Sequence, residues 1–302
     1  MTSRRHFLED SLALAALSMM PPLARAAAPV TRPIPADGRR LPVIGLGTWQ
    51  TFDVGADATA RARLGHLLAR FAELGGEVID SSPMYGSAEA VVGDLARERR
   101  LRPRLFLATK VWTQGKAAGM AQMEESLRRL HAPRIELMQI HNLTDWQRQL
   151  PTLRAWKVAG RIRYLGITHY HPSAYAEIEQ ILRREPLDFL QINYSLAEQE
   201  SAQRLLPLAA EHGVAVIANR PFAEGALFGR VKDRTLPAAA VAEHGCRSWA
   251  QVFLRWILAH PAVTCVIPAS SRIEHLEDNM AAGISALPAV EEQQALARIA
   301  GF

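Results

Sequence analysis

The feature that most constrains this chain is a repeated alternation of short apolar runs with longer amphipathic ones. The apolar runs read VIGLGT (43–48), EVID (77–80), RLFLATK (104–110), IELMQIH (135–141), RYLGIT (163–168), LDFLQIN (187–193), VAVIAN (214–219) and VTCVIP (263–268). Most are nearly continuous in hydrophobicity, as strands buried on both faces are. Between them lie helical stretches such as ARLGHLLARFAELG, MAQMEESLRRLH and YAEIEQILRRE. In SWAQVFLRWILAH, Val252, Leu254, Trp256, Ile257 and Leu258 mark a buried side, and His260-Pro261 supplies the stop. Eight strand–helix units predict an α/β fold with a parallel sheet covered by helices, and the count suits a closed (β/α)8 TIM barrel. Ahead of them the turn signal Asp37-Gly38 sits between two extended runs and predicts an N-terminal β-hairpin. A doubly wound open sheet is the alternative. It would normally carry a dinucleotide fingerprint, and Gly45-Leu46-Gly47 lacks the third glycine and the following helix.

Composition narrows the class. With 302 residues, 49% of them hydrophobic, the chain can bury a large core. The net charge of +5 comes without any Lys/Arg block interleaved with aromatics, which argues against nucleic acid as a partner. The two cysteines, Cys246 and Cys265, show no metal or redox spacing, and Cys265 inside VTCVIP reads as a small buried hydrophobe.

Residues 1–26 read as a cleaved export signal. Ser3, the pair Arg4-Arg5, Phe7 and Leu8 match the bacterial twin-arginine pattern, and a short apolar run follows; Ala24-Arg25-Ala26 fits the cleavage rule, as does Ala26-Ala27-Ala28, which Pro29 next to the cut disfavours. The apolar run is too short to hold a stable membrane span. Residues 27–302 then form one domain, undivided by linker or repeat. The expectation is a periplasmic protein, exported folded by the twin-arginine machinery and acting as a monomer.

Polar residues end nearly every apolar run: Thr48, Asp80, Lys110, His141, Thr168, Gln191 or Asn193, and Asn219, with Pro268 the exception. In a β/α barrel these ends converge on one mouth, where chemistry gathers. Tyr85 follows Asp80 by five residues, so a carboxylate, a phenol, an ammonium and an imidazole are expected around that mouth. The strand ends offer no cluster of carboxylates and histidines dense enough for a metal, and none is expected.

The segments IGLGTW, IDSSPMYGSAEAVVG, TKVW, LMQIHN, GRIRYLGIT, LQINYSL and VIPAS…EDN stand in an order that resembles the aldo-keto reductase family. The resemblance implies reduction of a carbonyl by NADPH, with NADH as the alternative cofactor, or the reverse oxidation of an alcohol. Its catalytic residues fall on Asp80, Tyr85, Lys110 and His141. Elementary chemistry supports these roles. A carbonyl that receives hydride becomes an alkoxide-like oxygen that must be stabilised and protonated. Tyr85 can give that proton, Lys110 is expected to lower the phenol from its usual value near 10, and Asp80 keeps the ammonium charged. A neutral, Nε2-protonated His141 is expected to donate a second hydrogen bond to the carbonyl oxygen.

The resemblance also implies that cofactor contacts come from Thr48, Trp49, Thr168, His169, Gln191, Asn219, Arg220, Ser270, Arg272, His275 and Asn279. Three positions depart from the family pattern. His169 stands where asparagine is usual, Asn219 where a tyrosine often stacks on the nicotinamide, and Ala269 where a lysine commonly follows Ile-Pro. Phe222 or another ring would have to compensate for Asn219, and Arg272 is left to contact a 2′-phosphate. Trp49 and Trp112 should line the pocket for a small-molecule carbonyl substrate, with Phe52 and Tyr194 nearby. A dinucleotide-binding barrel with little turnover, acting as a sensing or partner module, is the alternative reading.

Overall fold

The computed structural model describes residues 28–302, so the export signal read at 1–26 lies outside the described residues. The described chain opens with an antiparallel hairpin of β1 (Thr31–Pro33) and β2 (Arg40–Pro42), which turns through Gly38 at a φ of 76°. Eight strands follow: β3 (Leu46–Gly47), β4 (Val78–Asp80), β5 (Phe106–Val111), β6 (Ile135–His141), β7 (Ile162–His169), β8 (Phe189–Asn193), β9 (Ala215–Asn219) and β10 (Val263–Val266). All are parallel, and each pairs with its neighbours in chain order.

Among the described residues eleven α-helices accompany them. They are α1 (Ala58–Glu73), α2 (Ala88–Glu98), α3 (Lys116–Arg129), α4 (Trp146–Val158), α5 (Tyr175–Arg184), α6 (Ser201–Glu211), α7 (Ala226–Val231), α8 (Ala238–Ala242), α9 (Trp249–Ala259), α10 (Ile273–Ala281) and α11 (Gln293–Ala300). The architecture is the expected (β/α)8 barrel with its hairpin.

The ring closes between β3 and β10. Ile44 bridges Val266 and Gly47 bridges Ala269, and the Gly45 N–H donates to the Val266 carbonyl at 2.8 Å. A Cβ on Gly45 would lie 3.0 Å from both Ile267 Cγ2 and the Val78 carbonyl, and one on Gly47 would lie 3.0 Å from the Ile267 carbonyl. Close backbone approach at the seam therefore accounts for Gly45-Leu46-Gly47.

Helix formation follows the sequence pattern. Helix α1 starts at Asp57, whose carboxylate accepts the Ala60 N–H at 2.9 Å, and it buries Leu64, Leu67, Leu68 and Phe71 on one stripe. Helix α9 differs from expectation. It buries every residue from Ala250 to Ala259 rather than one side, because α11 packs over its outer face.

Inside the ring, alternate residues of each strand face the axis. The lower interior is an apolar plug that includes Val78, Phe106, Leu137, Tyr164, Phe189, Ala215 and Cys265, closed from below by Ile34 and Leu41 of the hairpin region. The hairpin is tied on by Arg32, whose guanidinium donates to the carbonyls of Leu258 (2.6 Å) and His260 (2.9 Å) and also to that of Val263. Cys246 and Cys265 are both buried and free. Among the described residues no helix is long and apolar enough to cross a membrane.

Candidate active site

Two residues further along the same strand faces, the barrel interior turns polar. Ala108 of β5 is followed by Lys110, Gln139 of β6 by His141, Gly166 of β7 by Thr168, and Ile217 of β9 by Asn219. Lys110 is fully buried, and its ammonium donates to Asp80 Oδ2 and to the Ser81 carbonyl, both at 2.7 Å. Its Nζ lies 5.0 Å from the centre of the Tyr85 ring. The Tyr85 ring meets the His141 ring edge-on, with centroids 5.9 Å apart. Asp80, Tyr85, Lys110 and His141 all line one cavity of about 730 Å³ at the C-terminal mouth.

The electrostatics set the proton inventory. Burial alone would lower the Lys110 ammonium, but the Asp80 carboxylate and Tyr85 outweigh it and hold the group above its ordinary value. Burial lifts the Tyr85 phenol; Lys110 pulls it down, Asp80 pushes it up, and the net direction is up. The lowering of the phenol expected from sequence is thereby reversed, because desolvation of the phenolate outweighs the ammonium beside it. Tyr85 is a protonated phenol at neutral pH. Burial, then the charge of Lys110, pushes His141 down to about 3, so its ring is neutral. His141 Nδ1 sits 3.0 Å from Ser82 Oγ, which already accepts the Met84 N–H at 3.2 Å. With the Ser82 hydroxyl donating to Nδ1, Nε2–H is the donor toward the cavity.

The remaining expected residues divide into two groups. Thr48, Trp49, Trp112, Thr168, Gln191, Asn219 and Arg220 line the cavity. Thr48 spends its hydroxyl on the Asp80 carbonyl at 2.9 Å. Trp49 and Trp112 are 39% and 43% exposed, which leaves their rings open to a ligand. Gln191 donates to Asp80 Oδ2 at 3.2 Å, and Asn219 keeps a buried Oδ1 with no hydrogen-bond partner. His169 does not line the cavity; its ring stacks on Tyr170, and it is Tyr170 that faces inward. Ser270, Arg272, His275 and Asn279 lie outside the cavity: Ser270 and Arg272 precede α10, His275 is in its first turn and Asn279 in its last. There Ser270 Oγ donates to the Arg272 carbonyl at 2.9 Å, while the Arg272 guanidinium is solvated 3.6 Å from Glu274.

Phe52 and Tyr194 are corrected to core residues. The chain reverses at Gln50, where φ is 60°, so Trp49 stays at the mouth while Phe52 turns into the core with no exposed surface. Tyr194 packs on Trp256, and its hydroxyl accepts from Gln293 Nε2 at 2.8 Å. Three residues that sequence reasoning passed over belong to the site. Ser82 orients His141. Gln139, fully buried, joins Gln191 (2.8 Å) to the Asp80 network. Tyr170 supplies an aromatic wall. Gln139 was legible as a lone amide within an apolar strand, two residues before His141; Ser82 carried no comparable signal.

A model of the aldo/keto reductase family matches residues 43–297. Methylglyoxal reductase YeaE of Escherichia coli (strain K12) is 31% identical over 251 residues, spanning 80% of this chain and 85% of that protein. L-glyceraldehyde 3-phosphate reductase of the same strain is 28% identical over 297 residues, spanning 81% and 85%. Among solved structures, an aldo/keto reductase from Klebsiella pneumoniae in complex with NADP and acetate has 30% identity and a TM-score of 0.70, covering 87% of this chain and 92% of that one. An aldo-keto reductase from Klebsiella pneumoniae in complex with NADPH has 29% identity and a TM-score of 0.72, covering 89% and 95%. The chain belongs to the aldo/keto reductase family.

Proposed function

We propose that this protein reduces aldehydes or ketones to alcohols with NADPH, using Tyr85 as the general acid. The observation that carries the reading is the buried Lys110 ammonium, fixed at 2.7 Å by Asp80 and set against the Tyr85 ring, with a neutral His141 beside them. The cavity suits the nicotinamide end of a dinucleotide. Its wall offers the unpartnered Asn219 Oδ1, an acceptor that a carboxamide N–H₂ can satisfy, together with Thr168 and Gln191. When bound, NADPH supplies the hydride.

The chain's own residues do the rest. Tyr85 O–H and His141 Nε2–H converge on the carbonyl oxygen, polarise it and stabilise the negative charge that develops there. Tyr85 then passes its proton to that oxygen, and Lys110 stabilises the phenolate left behind. Asp80 keeps Lys110 charged, and the amides of Gln139 and Gln191 hold Asp80. Trp49 and Trp112 form apolar walls, which favours an aldehyde or ketone with an apolar body. The names of the two Escherichia coli relatives support aldehydes as the substrate class. Preference for NADPH over NADH rests on the two Klebsiella complexes and on Arg272, which must leave Glu274 to reach a 2′-phosphate.

A titration of NADPH by fluorescence, followed by a panel of aromatic aldehydes, tests this. Cofactor oxidation on adding aldehyde is expected in the native protein. Tyr85→Phe should bind NADPH with unchanged affinity and lose about 10²- to 10⁴-fold in reduction rate; retained activity in that variant would sink the assignment.

The same reading includes export. Arg4-Arg5 and the cleavage pattern at 24–26 support delivery of the folded chain to the periplasm. Replacing both arginines by lysine should leave the protein in the cytoplasm, and unaltered periplasmic recovery would contradict this route.

A further inference from the structure

We infer that Asp53 is a positioning residue for the reduction: it ties the loop that carries Tyr85 to the loop that carries Trp49, so that one carboxylate sets both the proton donor and a substrate wall. The inference rests on the reductase reading above. Asp53 itself lies outside the cavity and acts through those two residues.

The link is a small group of mutual hydrogen bonds. Asp53 Oδ1 accepts both the Ser87 N–H and the Ser87 hydroxyl, each at 2.8 Å. The same hydroxyl oxygen accepts the Gly55 N–H at 2.8 Å. Ser87 is thus held from the Trp49 loop at three points, two residues after Tyr85. It starts α2 without a capping bond from its own side chain, so the order at that end comes from Asp53. The Ser87 N–H and hydroxyl hold the Asp53 carboxyl below the usual carboxylate range, which keeps it a charged acceptor at neutral pH.

Both loops are built for this contact. Phe52, with no exposed surface, anchors the Trp49 loop in the core and so fixes where the next side chain reaches. Its N–H donates to the Thr48 carbonyl at 3.1 Å, and its carbonyl accepts the Val54 N–H at 3.0 Å. On the facing loop Gly86 has a φ of 57°, and a Cβ there would collide with the Asp53 carboxylate. Glycine allows both that backbone and that approach. Tyr85 sits between fixed points. Its N–H donates to the Ser82 carbonyl at 2.9 Å, and its carbonyl accepts the Ala88 N–H at 3.0 Å. Before it, the Ser81 carbonyl is held by Lys110 at 2.7 Å. Releasing Ser87 frees the other end of this turn.

Slack at the link acts on two quantities. The Tyr85 O–H drifts from the carbonyl oxygen, and about 1 Å of misplacement costs on the order of 10²-fold in rate. Trp49 moves with its loop, which weakens binding of aldehydes large enough to reach its ring and spares small ones. The nicotinamide end is placed by Thr168, Gln191 and Asn219, which stand on β7, β8 and β9 rather than on either loop.

The test follows single-turnover oxidation of bound NADPH, which reads the chemical step rather than product release. The full chain, Asp53→Ala and Asp53→Asn are compared with a large aromatic aldehyde and with propanal. Asp53→Ala should lose about tenfold to 10²-fold in maximal rate with both aldehydes. Its half-saturating concentration should rise for the aromatic aldehyde alone. Asp53→Asn keeps an acceptor oxygen for Ser87 and should restore most of the rate. A helix cap with no further role would lower stability and leave the rate per folded molecule native. Native rate in folded Asp53→Ala, or an Asp53→Asn as slow as Asp53→Ala, overturns the proposal. Half-saturation that changes equally for both aldehydes overturns the link to Trp49. Should Asp53→Ala not fold, Ser87→Ala carries the test, since it removes the hydroxyl shared by Asp53 and Gly55: a slower rate is expected, and a native one overturns the proposal. Failure of the native protein to oxidise NADPH with either aldehyde overturns the reductase reading and this proposal with it.

Discussion

The two ends of the barrel interior are built from the same strands and do opposite work. At the lower end Phe106 stacks on Tyr164 and packs against Phe189, with ring centres 5.8 and 6.1 Å away, and polar chemistry is nearly excluded. At the upper end Lys110, Gln139, His141, Gln191 and Asn219 replace them. On β5 the change takes two alternations, Phe106 to Ala108 to Lys110, a distance of about 13 Å along the strand. The lesson is that the plug supports the site. A charged Lys110–Asp80 pair survives burial only where a rigid wall holds partners in register, and the aromatic layer below supplies that wall.

The sharpest way to break this contrast is to unbalance the upper layer. Lys110→Met leaves Asp80 buried without its cation and should cost about 3–5 kcal/mol of stability, read from urea unfolding, as well as nearly all reduction. Adding Asp80→Asn should restore much of the stability and none of the activity; a double variant no more stable than Lys110→Met would refute the charge argument. In the lower layer, Phe106→Ala should cost about 3 kcal/mol or slightly more, with kcat close to native at a temperature where the variant is folded. A wall position between the layers offers a finer probe. A Cβ on Gly166 would meet the Phe189 carbonyl at 2.6 Å, so Gly166→Ala should lower stability by about 1–3 kcal/mol and disturb Thr168 and Gln191 above it. Weaker NADPH binding in that variant would show the disturbance reaching the mouth.

The most gradual effect is a pH slope confined to the upper layer. His141 is held near 3 against an ordinary 6.5, so the unfolded chain takes its proton first as the pH falls. Its contribution to stability is complete above 6.5 and declines below it by about 1.4 kcal/mol per pH unit, until the folded form also titrates near 3. His141→Gln should remove that slope from the unfolding free energy between pH 6.5 and 5. An identical slope in the variant would mean that another group carries it.

Sequence disclosed the framework more fully than the site. The eight apolar runs became eight strands because strand burial on both faces leaves continuous hydrophobicity, a signal visible without coordinates. Asp80, Lys110 and His141 were legible for the same reason, as polar residues that end such runs. Loops gave less. Phe52 and Tyr194 sit in the core rather than the pocket, because sequence proximity to Trp49 and β8 says nothing about which way a turn sends a side chain. His169 departs from the expected arrangement in the same manner, since the chain turns its ring onto Tyr170. Lys110 does pull the Tyr85 phenol down, but burial, which sequence does not display, pushes it further up.

The most direct test of the account measures two quantities on the same two variants: the rate of aldehyde reduction at saturating NADPH, and the free energy of unfolding. Tyr85→Phe should lose at least about 10² in rate and stay within about 1 kcal/mol of native stability. Phe106→Ala should show the converse, a large loss of stability with the rate per folded molecule nearly kept. A Tyr85→Phe protein that still reduces aldehydes at the native rate would contradict the claim that the upper layer carries the chemistry.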